Sequence, residues 1–174
     1  DTLGIEPNDF ARTFSRKQYG LNVFNENEIE NISTSSKDVI TMWHVLEHVH
    51  DLNKRLSDIK RILKKDGVIF IAVPNIESFD AKWYQKYWAA YDVPRHLYHF
   101  TPSTMGKLLI KHHFFIHEII PMKFDSFYVS ILSEKYKTGK NNLVKAFITG
   151  MQSNMKANNL NHAYSSLIYV VKNS

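Results

Sequence analysis

A chain of 174 residues and 20.4 kDa has room for one domain and one hydrophobic core. Its lack of cysteine excludes a disulfide framework and a thiolate metal centre, and no apolar run approaches the roughly 20 residues of a membrane span. The formal charge of +5 comes from lysines at helical spacing, not from an arginine-rich stripe, so no nucleic-acid partner is expected; with no cysteine and nothing resembling a secretory leader, the cytoplasm is the expected location.

Residues 2–7 read as the end of a buried strand closing on the carboxylate of Glu6, with Pro7 stopping further pairing. Phe10, Phe14 and Tyr19 are spaced for a short helix over 9–19, which Asp9 could cap and Gly20 ends; a short strand over 21–24 follows. The polar stretch 25–37 reaches the core only through Ile29 and Ile32, and residues 38–42 enter the sheet. A helix starts at Asp51, buries Leu52, Leu56, Ile59 and Leu63, and is expected to end at Asp66-Gly67. The run 68–73 has no polar alternation, which predicts a central strand covered on both faces.

Residues 76–100 are dense in aromatic side chains, including Trp83, Tyr84, Trp88 and Tyr91, and are expected to form a satellite core or line an apolar pocket on the substrate side. Thr101-Pro102 predicts a capped helix to about residue 113, and 114–120 another strand. A helical connection over 122–162, with two helices around a turn at 137–140, leads to a last strand over 163–171. This order predicts an open α/β sheet whose late strands include an antiparallel return.

Three sets of residues carry chemistry. Glu6, at the end of a parallel strand, can accept from both vicinal hydroxyls of a ribose, or it is a solvent-facing acid before Pro7. His48 beside Glu47 changes protonation near neutral pH and can take a hydroxyl proton; in the alternative, Glu47 supports the corner backbone and His48 bonds within the fold. Arg95 can fork onto a carboxylate or phosphate while His96 and His99 meet substrate, or it pairs with Asp92 and braces the loop. His44 and His48 are four apart and would share a helical face, but no third ligand is identifiable, so no metal is assigned.

Gly4-Ile5-Glu6-Pro7, Asp38-Val39-Ile40 with Val45-Leu46-Glu47-His48-Val49, Arg61-Ile62-Leu63-Lys64-Lys65-Asp66-Gly67, Val73-Pro74-Asn75, Pro94-Arg95-His96-Leu97 and His99-Phe100-Thr101 follow one another in an order that resembles the class I S-adenosylmethionine-dependent methyltransferases, in particular the ubiquinone and small-molecule group. The resemblance implies a three-layer, open, Rossmann-like sheet, mostly parallel with an antiparallel late strand. It implies S-adenosylmethionine as cofactor, with Glu6 on the ribose, Pro7 shaping the wall, Asn25 and Glu26 near adenine, and Met42, Trp43 and His44 near the adenine and methionine parts. The implied reaction is in-line methyl transfer to a small-molecule or lipid-like acceptor, with oxygen preferred, His48 or His96 as base, and Glu47, Trp88, Arg95 and His99 toward the substrate.

The sequence departs from the family at its beginning. The family's first strand and its glycine-rich turn have no counterpart here, so residues 1–174 are expected to form a single partial methyltransferase domain with a gap between the strand ending at Glu6 and the strand near Asp38. Asp1 is not expected to be a translation start; upstream residues are expected to fill the gap, and the alternatives are another segment or subunit, such as a second copy in a homodimer, or a rearranged fold. Two other functions stay open: a nicotinamide-dependent oxidoreductase, in which Glu6 binds the same ribose diol, and a noncatalytic cofactor-binding or interaction remnant.

Overall fold

The helices begin where the sequence offers a side-chain acceptor to free amides. Asn8 accepts from Ala11 N–H at 3.0 Å, Asp51 from Lys54 N–H at 2.9 Å, and Ser78 and Thr101 each from an N–H at 3.1 Å. Asn8, not Asp9, is therefore the first cap. In this computed structural model, which describes residues 1–140, 142–159 and 162–174, the helices are α1 (Asp9–Tyr19), α2 (Leu52–Ile62), α3 (Phe79–Tyr84), α4 (Pro102–Lys111), α5 (Asp125–Thr138) and α6 (Leu143–Asn159). Residues 141, 160 and 161, within the expected 122–162 connection, lie outside the described residues.

The strands are β1 (Gly4–Ile5), β2 (Val23–Phe24), β3 (Lys37–Trp43), β4 (Leu63–Pro74), β5 (Phe114–Pro121) and β6 (Ser166–Asn173). One sheet has the order β3-β4-β6-β5, in which β3 and β4 are parallel and β6 runs antiparallel to both neighbours. The antiparallel return expected from the sequence is thus an inserted strand. The expected end of α2 needs correction: the helix stops at Ile62, and Lys64–Gly67 already belong to β4. Leu63 pairs with Lys37, and the register then jumps so that Val68 pairs with Val39. Gly67 is required inside this irregularity, since a Cβ there would sit 2.6 Å from the Leu63 side chain and 3.0 Å from the Asp38 carbonyl.

Leu56, Ile69, Ile71, Met105, Leu109, Leu167 and Val171 are wholly buried and make the main core between α2, α4 and the sheet. Burying each such side chain contributes about 1.5–3 kcal/mol. A second core joins the aromatic segment to the late helices: Tyr84, Trp88, Ala89 and Ala90 pack with Val129 and Leu132 of α5. The aromatic segment and helices α5 and α6 therefore pack into one cap, tied by Asp80, whose carboxylate accepts from Trp88 Nε1 (2.8 Å), Ser153 (3.0 Å) and Ser165 (2.7 Å).

β1 and β2 form a separate two-stranded parallel sheet. Among the described residues β1 is paired only with β2, and β3 only with β4, leaving each with one open edge. A cleft of about 580 Å³, lined by residues that include Leu3, Leu21, Asn22 and Lys37, lies where the two strands begin. On β3, Ile40 and Met42 turn to the core while Val39 and Trp43 stand half exposed. The division falls where the resemblance places the family's first strand.

Candidate active site

Two groups of polar side chains follow the carboxyl ends of parallel strands. Glu6 comes directly after β1, where its N–H bonds the Phe24 carbonyl at 2.9 Å. Its Oε1 accepts from Asn8 N–H at 2.8 Å, which fixes the carboxylate, and Oε2 has no protein donor among the described residues. Arg12 donates to the Glu6 and Pro7 carbonyls at 2.7 and 3.2 Å, so the turn is held by its backbone and the acid stays available. A pinned carboxylate with one free oxygen at a strand end fits a ribose diol.

The second group is built at the corner after β3. His44 occupies the left-handed backbone region at φ +52°, a strained conformation for a residue with a side chain. Its N–H is anchored on the Ala72 carbonyl at 2.9 Å. Both ring nitrogens meet carboxylates: Nδ1 lies 3.2 Å from Glu47 Oε1 and Nε2 lies 3.1 Å from Asp125 Oδ2. Since neither carboxylate can donate when ionised, both nitrogens carry protons, and the bonds to Asp125 and Glu47 push the His44 pKa up to about 9. Burial is the largest single influence on Asp125 and works against its ionisation, but the bond from His44, the Ser166 hydroxyl and the His44 charge together outweigh it and hold the carboxyl below its ordinary range.

Glu47 is wholly buried, and its Oε2 has no hydrogen-bond partner among the described residues. An oxygen left in this state costs about 1–3 kcal/mol unless a donor or cation meets it. Its carbonyl accepts from the N–H groups of Leu97 (2.8 Å) and Tyr98 (3.3 Å), which staples the 95–99 segment to the corner. His48 Nδ1 lies 2.9 Å from the Arg95 carbonyl, and His96 Nδ1 lies 2.8 Å from the Ala90 carbonyl. A carbonyl only accepts, so each Nδ1 carries the proton, and in the neutral ring Nε2 keeps its lone pair. The two imidazoles meet edge to face with centroids 4.7 Å apart. Burial pushes the His96 pKa down, which favours that neutral form.

Glu47, His48 and His96 each offer one ligand atom within 4.8 Å of the others, close enough to hold a divalent cation. Sequence spacing pairs His44 with His48 as candidate ligands; the fold instead turns both nitrogens of His44 to carboxylates and brings in His96 from the distant loop.

The other sequence candidates separate by role. Asn25 caps the 26–31 turn and Glu26 pairs with Arg55 at 3.3 Å, so both are engaged locally. Met42 is core, while Trp43 is half exposed at the end of β3. Trp88 is buried with its indole N–H on Asp80, Arg95 pairs with Asp92 at 2.7 Å, and His99 Nε2 lies 3.0 Å from the Tyr91 carbonyl. Asp125 is the residue that sequence reading does not find: an acid at the start of a helix has an ordinary local explanation, and only the folded chain brings it to His44.

A sequence family described as a methyltransferase domain matches residues 1–118. A comparison with curated protein sequences finds no match. Among solved structures, a SAM-dependent methyltransferase from Thermotoga maritima aligns with a TM-score of 0.56 and 24% identity over 68% of this chain, which spans 56% of that protein's length. A SAM-dependent methyltransferase from Archaeoglobus fulgidus gives 0.59 and 16%, covering 99% of this chain and 76% of the other. A geranyl diphosphate C-methyltransferase from Streptomyces coelicolor, solved with Mg²⁺, geranyl diphosphate and S-adenosyl-L-homocysteine, gives 0.62 and 14%, covering 99% and 64%. At these identities the structures speak for the fold, the open Rossmann-like sheet with its antiparallel late strand. The family match decides membership: the chain belongs to the methyltransferase domain family.

Proposed function

We propose that this chain is the part of a methyltransferase that binds the ribose of S-adenosylmethionine through Glu6 and transfers the methyl group to an oxygen of a small-molecule or lipid-like acceptor, with His48 as the base. The observation that carries the reading is the bond between His48 Nδ1 and the Arg95 carbonyl, which directs the lone pair of the ring to Nε2 beside His96 and Glu47.

When bound, S-adenosylmethionine supplies an activated methyl on a sulfonium leaving group, so no protein acid is needed on the departing side. Glu6 would orient the nucleoside. His44, doubly held by Glu47 and Asp125, is an imidazolium at neutral pH and cannot itself accept a proton; it locks the corner to the cap. His48 Nε2 would take the acceptor's hydroxyl proton as the oxygen attacks the methyl carbon, and His96 offers a second lone pair at the same place. The cap of residues 76–100 and α5 would exclude water and position the acceptor. The family match points away from a nicotinamide reaction.

Transfer of radiolabelled methyl from S-adenosylmethionine to a panel of phenols, catechols and prenylated rings tests this directly. His48→Gln should lower turnover by about 10²–10⁴-fold while leaving S-adenosylhomocysteine affinity unchanged. Unchanged turnover would remove the base role, and transfer only to nitrogen or carbon acceptors would remove the oxygen assignment.

A further inference from the structure

Residues 135–174 contain six lysines and no aspartate or glutamate. Within this stretch α6 has a buried face and an exposed apolar face. The inner one is made of small residues, with Ala146, Thr149, Ser153 and Ala157 buried, and a Cβ at Gly150 would come 2.7 Å from the Phe127 ring. The opposite face carries Leu143, Val144, Phe147, Ile148, Met151 and Met155, which are 44–73% exposed. These positions recur at helical spacing along ~18 Å of helix. Phe147 stacks on Phe127 with centroids 5.2 Å apart, and Phe124 and Tyr128, 87% and 65% exposed, carry apolar surface onto α5. A contiguous apolar face exposed opposite the buried one is a surface without a partner among the described residues.

Charge decides what that partner is. Lys123, Lys135, Lys137, Lys140 and Lys156 are exposed on the α5–α6 hairpin. Its two acids present little charge outward: Glu134 is wholly buried and paired with Lys145 at 3.3 Å, and Asp125 is 24% exposed and paired with His44. A second copy docked through the same face would set lysines against lysines. An anionic lipid surface accepts both components, taking the large apolar side chains below the headgroups and the ammonium groups among the phosphates.

We propose that the outer face of the α5–α6 hairpin is a docking surface for anionic membranes. The face belongs to the same cap that supplies Asp125 to the His44 corner. The proposal extends the functional reading, but vesicle binding requires no turnover, and the two fail independently.

The test is sedimentation of the full chain with vesicles of phosphatidylcholine alone and of phosphatidylcholine mixed with phosphatidylglycerol. Binding should be at least about tenfold tighter to the mixed vesicles and weaken with salt. Phe147→Glu combined with Met151→Glu should abolish it, Lys137→Glu with Lys140→Glu should weaken it, and Phe147→Leu should retain it. All of these positions are exposed, and an unchanged thermal melt confirms folding of each variant. No binding by the parent chain, or equal binding by the parent and the double glutamate variant, overturns the proposal. Concentration-dependent dimerisation in light scattering, lost in Phe147→Glu and unaccompanied by vesicle binding, would assign the face to a second copy and likewise overturn it.

Discussion

Helices α1 and α2 are both eleven residues long, both are amphipathic, and both are capped by an acceptor side chain, Asn8 or Asp51. Yet α2 buries Leu52, Leu56, Ile59 and Ile62, whereas α1 buries no residue and leaves Phe10 82% exposed. The local rules of helix formation are satisfied equally in the two; what differs is the surface opposite. α2 lies on a continuous four-stranded sheet, and α1 belongs to the two-stranded unit with its open edge. Capping and periodicity decide that a helix exists, and tertiary context decides what its apolar face is worth.

That contrast can be broken at several points. The largest expected effect on stability is at the packed helix: Leu56→Ala should lower unfolding free energy by roughly 2–5 kcal/mol in urea titration, since the side chain is fully enclosed by the main core. A loss under 1 kcal/mol would mean that the sheet side is less tightly packed than the structure has it. Next comes the contribution of the two-stranded unit to binding. Glu6→Gln removes a charge-assisted acceptor and should weaken S-adenosylhomocysteine binding by about 1–3 kcal/mol in calorimetry. An affinity change within error would place the ribose elsewhere.

A smaller effect is expected from the His44 clamp. The folded pKa of about 9 is above the ordinary value of 6.5, so the clamp's contribution is full below pH 6.5 and is lost as pH rises through about 9. Asp125, held below its ordinary range, adds stability above about pH 4 and loses it as acid protonates the carboxyl. The melting temperature should therefore fall between pH 7 and about 9.5, and Asp125→Asn should flatten that fall; parallel curves for the two proteins would show that the ion pair contributes nothing to the fold. The smallest effect belongs to the exposed helix, where Phe14→Ala should change unfolding free energy by less than about 0.5 kcal/mol. A loss like that of Leu56→Ala would show α1 to be packed in solution after all.

The sequence makes most of the elements legible because each carries its own local marker, such as Thr101-Pro102 before α4 or Gly20 in its left-handed cap after α1. It misplaces the end of α2, where Asp66-Gly67 looks like a helix stop but serves a register shift in β4 that only the neighbouring Lys37 and Asp38 reveal. At the site, Glu6 and the Glu47-His48 corner are readable from strand ends. The contact of Asp125 with His44 Nε2 and the approach of His96 to Glu47 join distant segments and leave no periodic trace. The apolar face of α6 is written in the sequence, but Leu143, Val144, Phe147, Ile148, Met151 and Met155 look like ordinary core until their exposure shows that the smaller residues are the ones covered.

The claim on which the rest depends is that the two-stranded unit and the β3 corner serve one nucleoside. A crystal structure with S-adenosylhomocysteine measures this most directly. The account predicts the ribose hydroxyls on the Glu6 carboxylate and the sulfur turned toward the 44–48 corner; a ligand that leaves Glu6 in solvent, or that lies away from His44 and His48, would contradict it.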